Sequence, residues 1–133
     1  MSKIIEGQCH CGKVKWKFEG DIDRITACNC TVCRKYGTLW AYGFKDKNVT
    51  ISGETSKYLR SGEELSFNFC SDCGCVAYWH GVEKHEEGYR VAVNTRLANN
   101  PEEIESIPIR HFDGLGKFSE DPDDGRCVKD MWY

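Results

Sequence analysis

The sequence predicts a mainly β domain of small antiparallel sheets held by metal staples, with little helix. Two observations lead to this prediction: short apolar runs that alternate with polar residues, and nine cysteines that cluster at short spacings. In "KVKWKFEG", Val14, Trp16 and Phe18 alternate with lysines, which is the two-residue period of a strand with one buried face. Six further runs resemble strands, most of them bounded by turn residues: "TLWAYGF", "NVTISG", "LSFNF", "CVAYWHG", "YRVAVNT" and "IPIRHF".

Helix is favoured in two segments, "TVCRKYG" and "NPEEIESI", each long enough for a turn or two. A chain of 133 residues has the size of one domain. We predict a single zinc-binding domain over residues 1–118, followed by an acidic, loosely ordered tail over residues 119–133. The last residues of this tail, Met131, Trp132 and Tyr133, are apolar enough to dock on the domain.

Composition and charge exclude several classes of protein. The net charge of −3 lacks the basic surplus typical of nucleic-acid-binding proteins. No apolar run has the length of a membrane span, and the start "MSKIIEGQCHCG" lacks the apolar core of a signal peptide. We therefore expect a cytoplasmic protein with no nucleic-acid or membrane partner. Because thiols stay reduced in the cytoplasm, the odd number of cysteines indicates metal binding or catalysis rather than disulfides.

Two cysteine pairs, Cys9 with Cys11 and Cys70 with Cys73, fit a four-thiolate zinc site; we call these four residues the tetrad. Neighbouring sulfurs around a tetrahedral zinc lie about 3.8 Å apart. The segment "CSDCG" suits a tight turn that brings its two cysteines together, because Gly74 tolerates positive φ. In an extended segment, Cys9 and Cys11 would project from the same face. We predict a structural zinc here, with a Cys70–Cys73 redox pair as the alternative.

A second cluster, "CNCTVC", places Cys28, Cys30 and Cys33 within six positions; we call these three residues the trio. Catalytic zinc typically has three protein ligands and an open position for water or substrate. Zinc with three thiolates carries a charge of −1, and a fourth thiolate from outside would make it −2. The adjacent Arg34 and Lys35 would offset that charge. The trio therefore predicts a second zinc site with an open position.

A closed second site is the alternative interpretation, in which Cys75, Cys127 or His111 supplies the fourth ligand and the site is only structural. Spacing alone does not decide between the open and the closed site. Cys75 also has a simpler interpretation, because a lone cysteine in a strand often packs in the core as a small apolar residue.

The motifs in their order along the chain resemble one known family. "GQCHCGKVKWKF", "CNCTVCRKYG", "FNFCSDCGCVAYW" and "IPIRHFDG" are similar to segments of the glutathione-dependent formaldehyde-activating enzyme family, which also includes centromere protein V. The resemblance covers about residues 7 to 113. One position departs from the family pattern, since residue 75 is usually Thr or Ser and here it is Cys.

The resemblance implies a zinc-bearing, mostly β domain of the β-tent type. It also implies a structural zinc at the tetrad and a second, more labile zinc at the trio that is associated with catalysis. The type activity of the family is carbon–sulfur bond chemistry, the addition of glutathione to formaldehyde to give S-hydroxymethylglutathione. Many members are assigned only as carbon–sulfur lyases or zinc-binding proteins, so the substrate does not follow from the resemblance.

We interpret the chain as a zinc-dependent carbon–sulfur lyase with two zinc ions, acting on a small thiol such as glutathione and an aldehyde. In this hypothesis Arg34 and Lys35 hold a substrate carboxylate, and His111 shuttles a proton to the developing alkoxide. The alternative is a non-catalytic zinc module for a protein partner or for metal handling. A thiol-redox protein is a third interpretation.

Overall fold

The computed structural model describes residues 3–60 and 64–132. Within these ranges the chain is mainly β, with 47% strand and 13% helix, which confirms the predicted fold class. The strands are β1 (Ile4–Gln8), β2 (Lys15–Glu19), β3 (Ile25–Cys28), β4 (Trp40–Phe44), β5 (Val49–Ser52), β6 (Ser56–Leu59), β7 (Leu65–Phe69), β8 (Val76–His85), β9 (Gly88–Asn94), β10 (Ile109–Asp113) and β11 (Ser119–Glu120). The helix α1 covers Thr31–Tyr36, and 3₁₀ helices cover Thr95–Leu97, Pro101–Glu103 and Val128–Met131.

The strands form two sheets. The small sheet has the order β1-β2-β5, and the large sheet has the order β11-β10-β3-β4-β9-β8-β7-β6. Neighbouring strands of the large sheet are antiparallel except β3 and β10, which run parallel with Cys28 opposite Phe112. This parallel pair places the residues that follow β3 beside those that follow β10. Both of these segments contribute to the candidate site.

Side chains on the two faces of the large sheet belong to different buried clusters. Along β9, Val91 and Val93 pack on the face that is covered by the small sheet, while Ala92 packs on the other face. The first cluster includes Val14, Trp16 and Phe18, which confirms the predicted alternation in β2. The second cluster contains Trp40, Phe67 and Trp79 together with two cysteines of the trio. The fold therefore places the trio on the face of the large sheet that the small sheet leaves uncovered.

Both segments that favoured helix contain helical turns. The segment "TVCRKYG" forms α1, which ends at Gly37 with φ of 67°, where the Gly37 N–H donates to the Cys33 carbonyl at 2.9 Å. The segment "NPEEIESI" forms a single 3₁₀ turn at Pro101–Glu103. Across the described residues, no helix is both long and apolar enough to cross a bilayer.

The predicted tail, residues 119–133, is packed more closely than its composition indicates. Residues Ser119 and Glu120 pair with β10, and Val128 is fully buried in the core below the small sheet. Met131 and Trp132 pack against the same core, whereas Tyr133 lies outside the described residues. The acidic run before Gly125 gives the segment a disordered composition, but a few apolar side chains after it are sufficient to anchor the chain.

Candidate metal centres and the adjoining pocket

The tetrad joins two turns that belong to different sheets. Cys9 and Cys11 lie in the turn after β1 of the small sheet, and Cys70 and Cys73 lie in the turn after β7 of the large sheet. The four Sγ atoms lie within 4.8 Å of one another. The Sγ atoms of Cys9 and Cys11 are 3.7 Å apart, and those of Cys11 and Cys70 are 3.5 Å apart. Four thiolates at these separations suit a tetrahedral zinc, whose sulfurs lie about 3.8 Å apart.

One of the two backbone segments of the tetrad is more tightly turned than predicted. Cys9 and Cys11 lie in a turn rather than an extended segment, because Gly12 takes φ of 83° and donates its N–H to the Cys9 carbonyl at 3.0 Å. The other turn matches the expectation, since Gly74 has φ of 80° and donates to the Cys70 carbonyl at 2.9 Å. Hydrogen bonds from the backbone at Cys75 and Cys11 lower the pKa of Cys73 to about 5, which favours the thiolate.

The trio is built by one strand end and one helix start. Cys28 ends β3, Cys30 is the N-cap of α1, and Cys33 lies inside the helix. The Cys30 Sγ accepts from the Cys33 N–H at 3.3 Å, and the Cys33 Sγ accepts from the Trp40 Nε1–H at 3.3 Å. The three Sγ atoms lie within 4.8 Å of one another. Three convergent sulfurs in a cluster of Trp and Phe side chains suit a soft metal such as zinc.

One thiol of the trio ionises more readily than another. A hydrogen bond between the side chains of Cys28 and Cys33 lowers the pKa of Cys28 to about 6 and raises the pKa of Cys33 well above its usual value. Cys28 is therefore the first of the two to ionise. Because the thiolate is the form that binds metal, the pair has one ligand ready at neutral pH.

No fourth ligand joins the trio among residues 3–60 and 64–132. The three residues considered for this role lie elsewhere. Cys75 packs against the core near the tetrad, and the Cys127 thiol donates to the Asp130 carboxylate at 3.4 Å. The His111 Nε2 lies 3.0 Å from Asp124 Oδ1. The described part of the chain thus leaves one corner of the trio without a protein ligand.

A pocket of about 410 Å³ opens beside the trio, within the range of roughly 300–1,000 Å³ that is common for small-molecule sites. All three cysteines of the trio line it. Its apolar walls come from Trp40, Phe67, Trp79, Leu65, Phe112 and Phe118, and its polar lining comes from Thr26, Tyr42, Arg60, Glu64, Arg90 and Arg110.

Three arginines give this pocket a positive character. The Arg90 guanidinium lies 5.8 Å from the Tyr42 ring centroid and 5.6 Å from that of Trp79, within the range of cation–π contacts. Arg110 Nε is buried without a hydrogen-bond partner, with Glu120 at 3.8 Å. Among the described residues neither Arg60 nor Arg90 forms a salt bridge.

The other residues that the sequence analysis selected do not line this pocket. Arg34 and Lys35 are exposed in the last turn of α1. His111 alternates with Arg110 and Phe112 along β10, and those two residues line the pocket, so the His111 ring points to the opposite side. The three pocket arginines were missed. For Arg110 a signal was available in the predicted strand "IPIRHF". Alternate residues of a strand lie on opposite faces, so positions 110 and 112 share one face and position 111 lies on the other.

Comparison with known proteins supports the resemblance seen in the motifs. Residues 4–109 match the family described as glutathione-dependent formaldehyde-activating enzyme. The chain belongs to this family. Membership associates it with glutathione-related formaldehyde activation. A crystal structure of a Rhodobacter sphaeroides protein is similar in fold, with a TM-score of 0.60 and 22% identity over 78% of this chain and 98% of that chain. No curated protein matches the chain.

Proposed function

We propose that this member of the family makes or breaks thiol–aldehyde adducts of the S-hydroxymethylglutathione type at the trio. The observation that carries the proposal is the position of the three cysteine sulfurs. They converge on the wall of a pocket, and no described residue supplies a fourth ligand. A site built only to stabilise the fold would normally be closed by four protein ligands, as the tetrad is.

The reaction joins two substrates without oxidation or reduction. The thiol loses its proton, a carbon–sulfur bond forms at the aldehyde carbon, and the carbonyl oxygen gains a proton; the reverse reaction breaks the same bond. Zinc held by Cys28, Cys30 and Cys33 would supply a Lewis-acid position that lowers the pKa of a thiol. The chain itself contributes the binding groups, the exclusion of water and the hydrogen bonds around the reacting atoms.

The pocket arginines would bind the carboxylates of a glutathione-like thiol. Arg60, Arg90 and Arg110 all line the pocket beside the trio, and guanidinium groups bind carboxylates through paired charge-assisted hydrogen bonds. The sequence hypothesis gave this role to Arg34 and Lys35, but these side chains lie outside the pocket. We therefore transfer the proposed carboxylate contact to the three arginines.

Tyr42 and the aromatic wall would act on the reacting oxygen and on water. Desolvation raises the pKa of Tyr42, so its hydroxyl keeps its proton at neutral pH and can donate to the carbonyl or alkoxide oxygen. Trp40 and Trp79 line the pocket and would restrict the access of water to a bound substrate, which would strengthen electrostatic contacts there. The proton shuttle predicted for His111 lacks geometric support, because its ring contacts Asp124 instead.

Two zinc ions per chain and a cytoplasmic location complete the proposal. The two groups of cysteines fit two metal ions, and all nine cysteines are free thiols in the structure. Free thiols are kept reduced in the cytoplasm, whereas an oxidising compartment favours disulfides. We propose glutathione and formaldehyde as the thiol and the aldehyde, on the basis of the family match.

The proposal is tested by exchange kinetics at equilibrium. Exchange NMR with ¹³C-formaldehyde and glutathione measures how fast carbon passes between free aldehyde and adduct, and the uncatalysed rate is subtracted. The wild-type protein should accelerate this exchange, and Cys30→Ser should abolish the acceleration. Cys127→Ser is the matched control, because Cys127 lies outside both clusters. A wild-type protein with both metals bound and no acceleration would contradict the enzyme and favour the non-catalytic zinc module.

A further inference from the structure

The turn between β10 and β11 lies against the trio. Residues 114–117 form this turn; together with Asp113 and Phe118 we call it the Asp113 loop (residues 113–118). An ideal Cβ built on Gly114 would lie 2.8 Å from Cys30 Cβ and 3.0 Å from Cys28 Sγ. Contacts below 3.0 Å are not compatible with a side chain, and so the glycine backbone packs directly on two of the three cysteines.

Asp113 holds this loop in place through both carboxylate oxygens. Its Oδ1 accepts from the Gly116 N–H at 2.9 Å, and its Oδ2 accepts from the Lys117 N–H at 3.0 Å. These two contacts fold the loop back on itself. Together with a contact from Asn29 they lower the pKa of Asp113 to about 2, with the Lys117 amide as the main cause.

Asn29 connects the trio to the Asp113 loop, because its side chain both donates a hydrogen bond to the loop and accepts one from it. It lies between Cys28 and Cys30 in the sequence, and its side-chain Nδ2 donates to Asp113 Oδ1 at 3.1 Å. Its Oδ1 accepts from the Leu115 N–H at 3.0 Å. In addition, the Asn29 backbone N–H donates to the Phe112 carbonyl at 3.2 Å. The Asn29 side chain thus connects the segment that carries Cys28 and Cys30 to the Asp113 loop through two hydrogen bonds, one from its Nδ2 and one to its Oδ1.

We propose that Asp113 is a positioning residue for the second metal site, which acts through Asn29 and Gly114 to hold Cys28 and Cys30 in register with Cys33. This inference rests on the proposed function only in assuming that the trio binds a metal. The trio has no fourth protein ligand among the described residues, so its geometry depends on such supporting contacts more than that of the tetrad. Removal of outer hydrogen-bond partners typically lowers metal affinity by about 10- to 100-fold.

The test compares zinc release from the two sites of one molecule. Full-length protein loaded with two zinc ions is mixed with a chromophoric chelator, and the fast and slow phases report the trio and the tetrad. Asp113→Ala should accelerate release from the trio by about 10- to 100-fold and leave the tetrad phase unchanged. Asp121→Ala is the matched control, because among the described residues this neighbouring carboxylate pairs only with the Lys117 Nζ, whereas Asp113 accepts from the Lys117 backbone N–H. It should leave both phases as in the wild type.

An exchange of the two side chains tests the hydrogen bond itself. Asn29→Asp and Asp113→Asn should each accelerate release. The first places two carboxylates opposite one another, and the second replaces one of the two oxygens that accept from Asn29, Gly116 and Lys117 by an NH₂ group. The double variant restores one donor facing one acceptor, so its release should be slower than the two single effects predict. Cobalt loaded in place of zinc gives a second measure, because the absorption of a cobalt–thiolate site follows its geometry.

Three results would overturn the inference: an unchanged trio phase in Asp113→Ala, equal acceleration of both phases, or equal acceleration in Asp121→Ala. These failures differ from failure of the proposed function. A wild-type chain that binds two zinc ions but does not catalyse exchange would remove the enzyme and leave the role of Asp113 intact.

Discussion

The tetrad and the trio use the same ligand chemistry but are assembled over different distances along the chain. The tetrad takes one pair of cysteines from each of two turns that are 59 residues apart between Cys11 and Cys70. It therefore connects the small sheet to the large sheet. The trio takes all three cysteines from one segment of six residues, and its surroundings come from distant strands. In this molecule the long-range cluster contains four cysteines, whereas the local cluster contains three and has room for a ligand from outside.

The residues around the two clusters also differ. Beside the tetrad, Lys13 forms an ion pair with Asp72, so the two turns are also connected by charge. Beside the trio, the nearest strands present aromatic rings and arginines to a pocket. We infer that loss of the first metal mainly affects folding and that loss of the second mainly affects function.

The largest effect is expected from Cys73→Ser. A structural zinc contributes binding free energy that is also folding free energy, about 10–16 kcal/mol in small zinc domains. This is comparable to the typical stability of a whole domain, about 5–15 kcal/mol. The variant should lose both zinc ions and its cooperative unfolding transition, as measured by circular dichroism and metal analysis. A folded variant that keeps one zinc would show that the tetrad does not hold the sheets together.

Cys30→Ser should have a large effect on function and a small effect on stability. It removes one ligand of the trio, while the serine hydroxyl can still accept the Cys33 N–H at the N-cap of α1. We expect loss of one zinc per chain, retention of the other, and a decrease in the free energy of unfolding of about 1–2 kcal/mol. Metal analysis and urea denaturation measure these quantities. Global unfolding would contradict the division of roles between the clusters.

The sequence predicted the ligands of both clusters better than it predicted their surroundings. Cysteine spacing is a local property, and so Cys28, Cys30 and Cys33 are visible as a group without a structure. Arg60 follows β6 and Arg90 lies in β9, and no local pattern in the sequence connects these two residues. Arg34 was selected only because it follows the trio in sequence, although the rotation of α1 directs it to solvent.

The same limit explains which parts of the fold were missed. Strands with clear alternation, such as β2, were predicted. β3 has four residues, "ITAC", two of them fully buried, and β6 is an exposed edge strand, "SKYL". Neither shows an apolar–polar alternation long enough to recognise. In the tail, Val128, Met131 and Trp132 pack against the core, whereas the expectation of loose order depended on a composition that averages over fifteen residues.

A moderate effect is expected from Arg90→Gln. If Arg90 binds a substrate carboxylate, its loss removes charge-assisted hydrogen bonds worth about 1.5–3 kcal/mol. The KM for glutathione should therefore rise by about tenfold or more, with little change for a thiol that lacks carboxylates. Arg34→Gln is the matched control and should change neither value. Equal effects of both substitutions on both thiols would show that the charge acts from a distance and not by contact.

The smallest effect is expected from Cys75→Ser. This substitution tests whether Cys75 is a metal ligand or only a side chain of the core. Cys75 follows the tetrad turn, but its sulfur belongs to neither group of convergent ligands among the described residues, and it packs half-buried against the core. The variant should keep both zinc ions and lose about 0.5–1 kcal/mol of unfolding free energy. Because Cys73 lies only two residues away, loss of a zinc ion from Cys75→Ser would mean that the ligand sets are not separate, and the contrast between a closed and an open site would no longer hold.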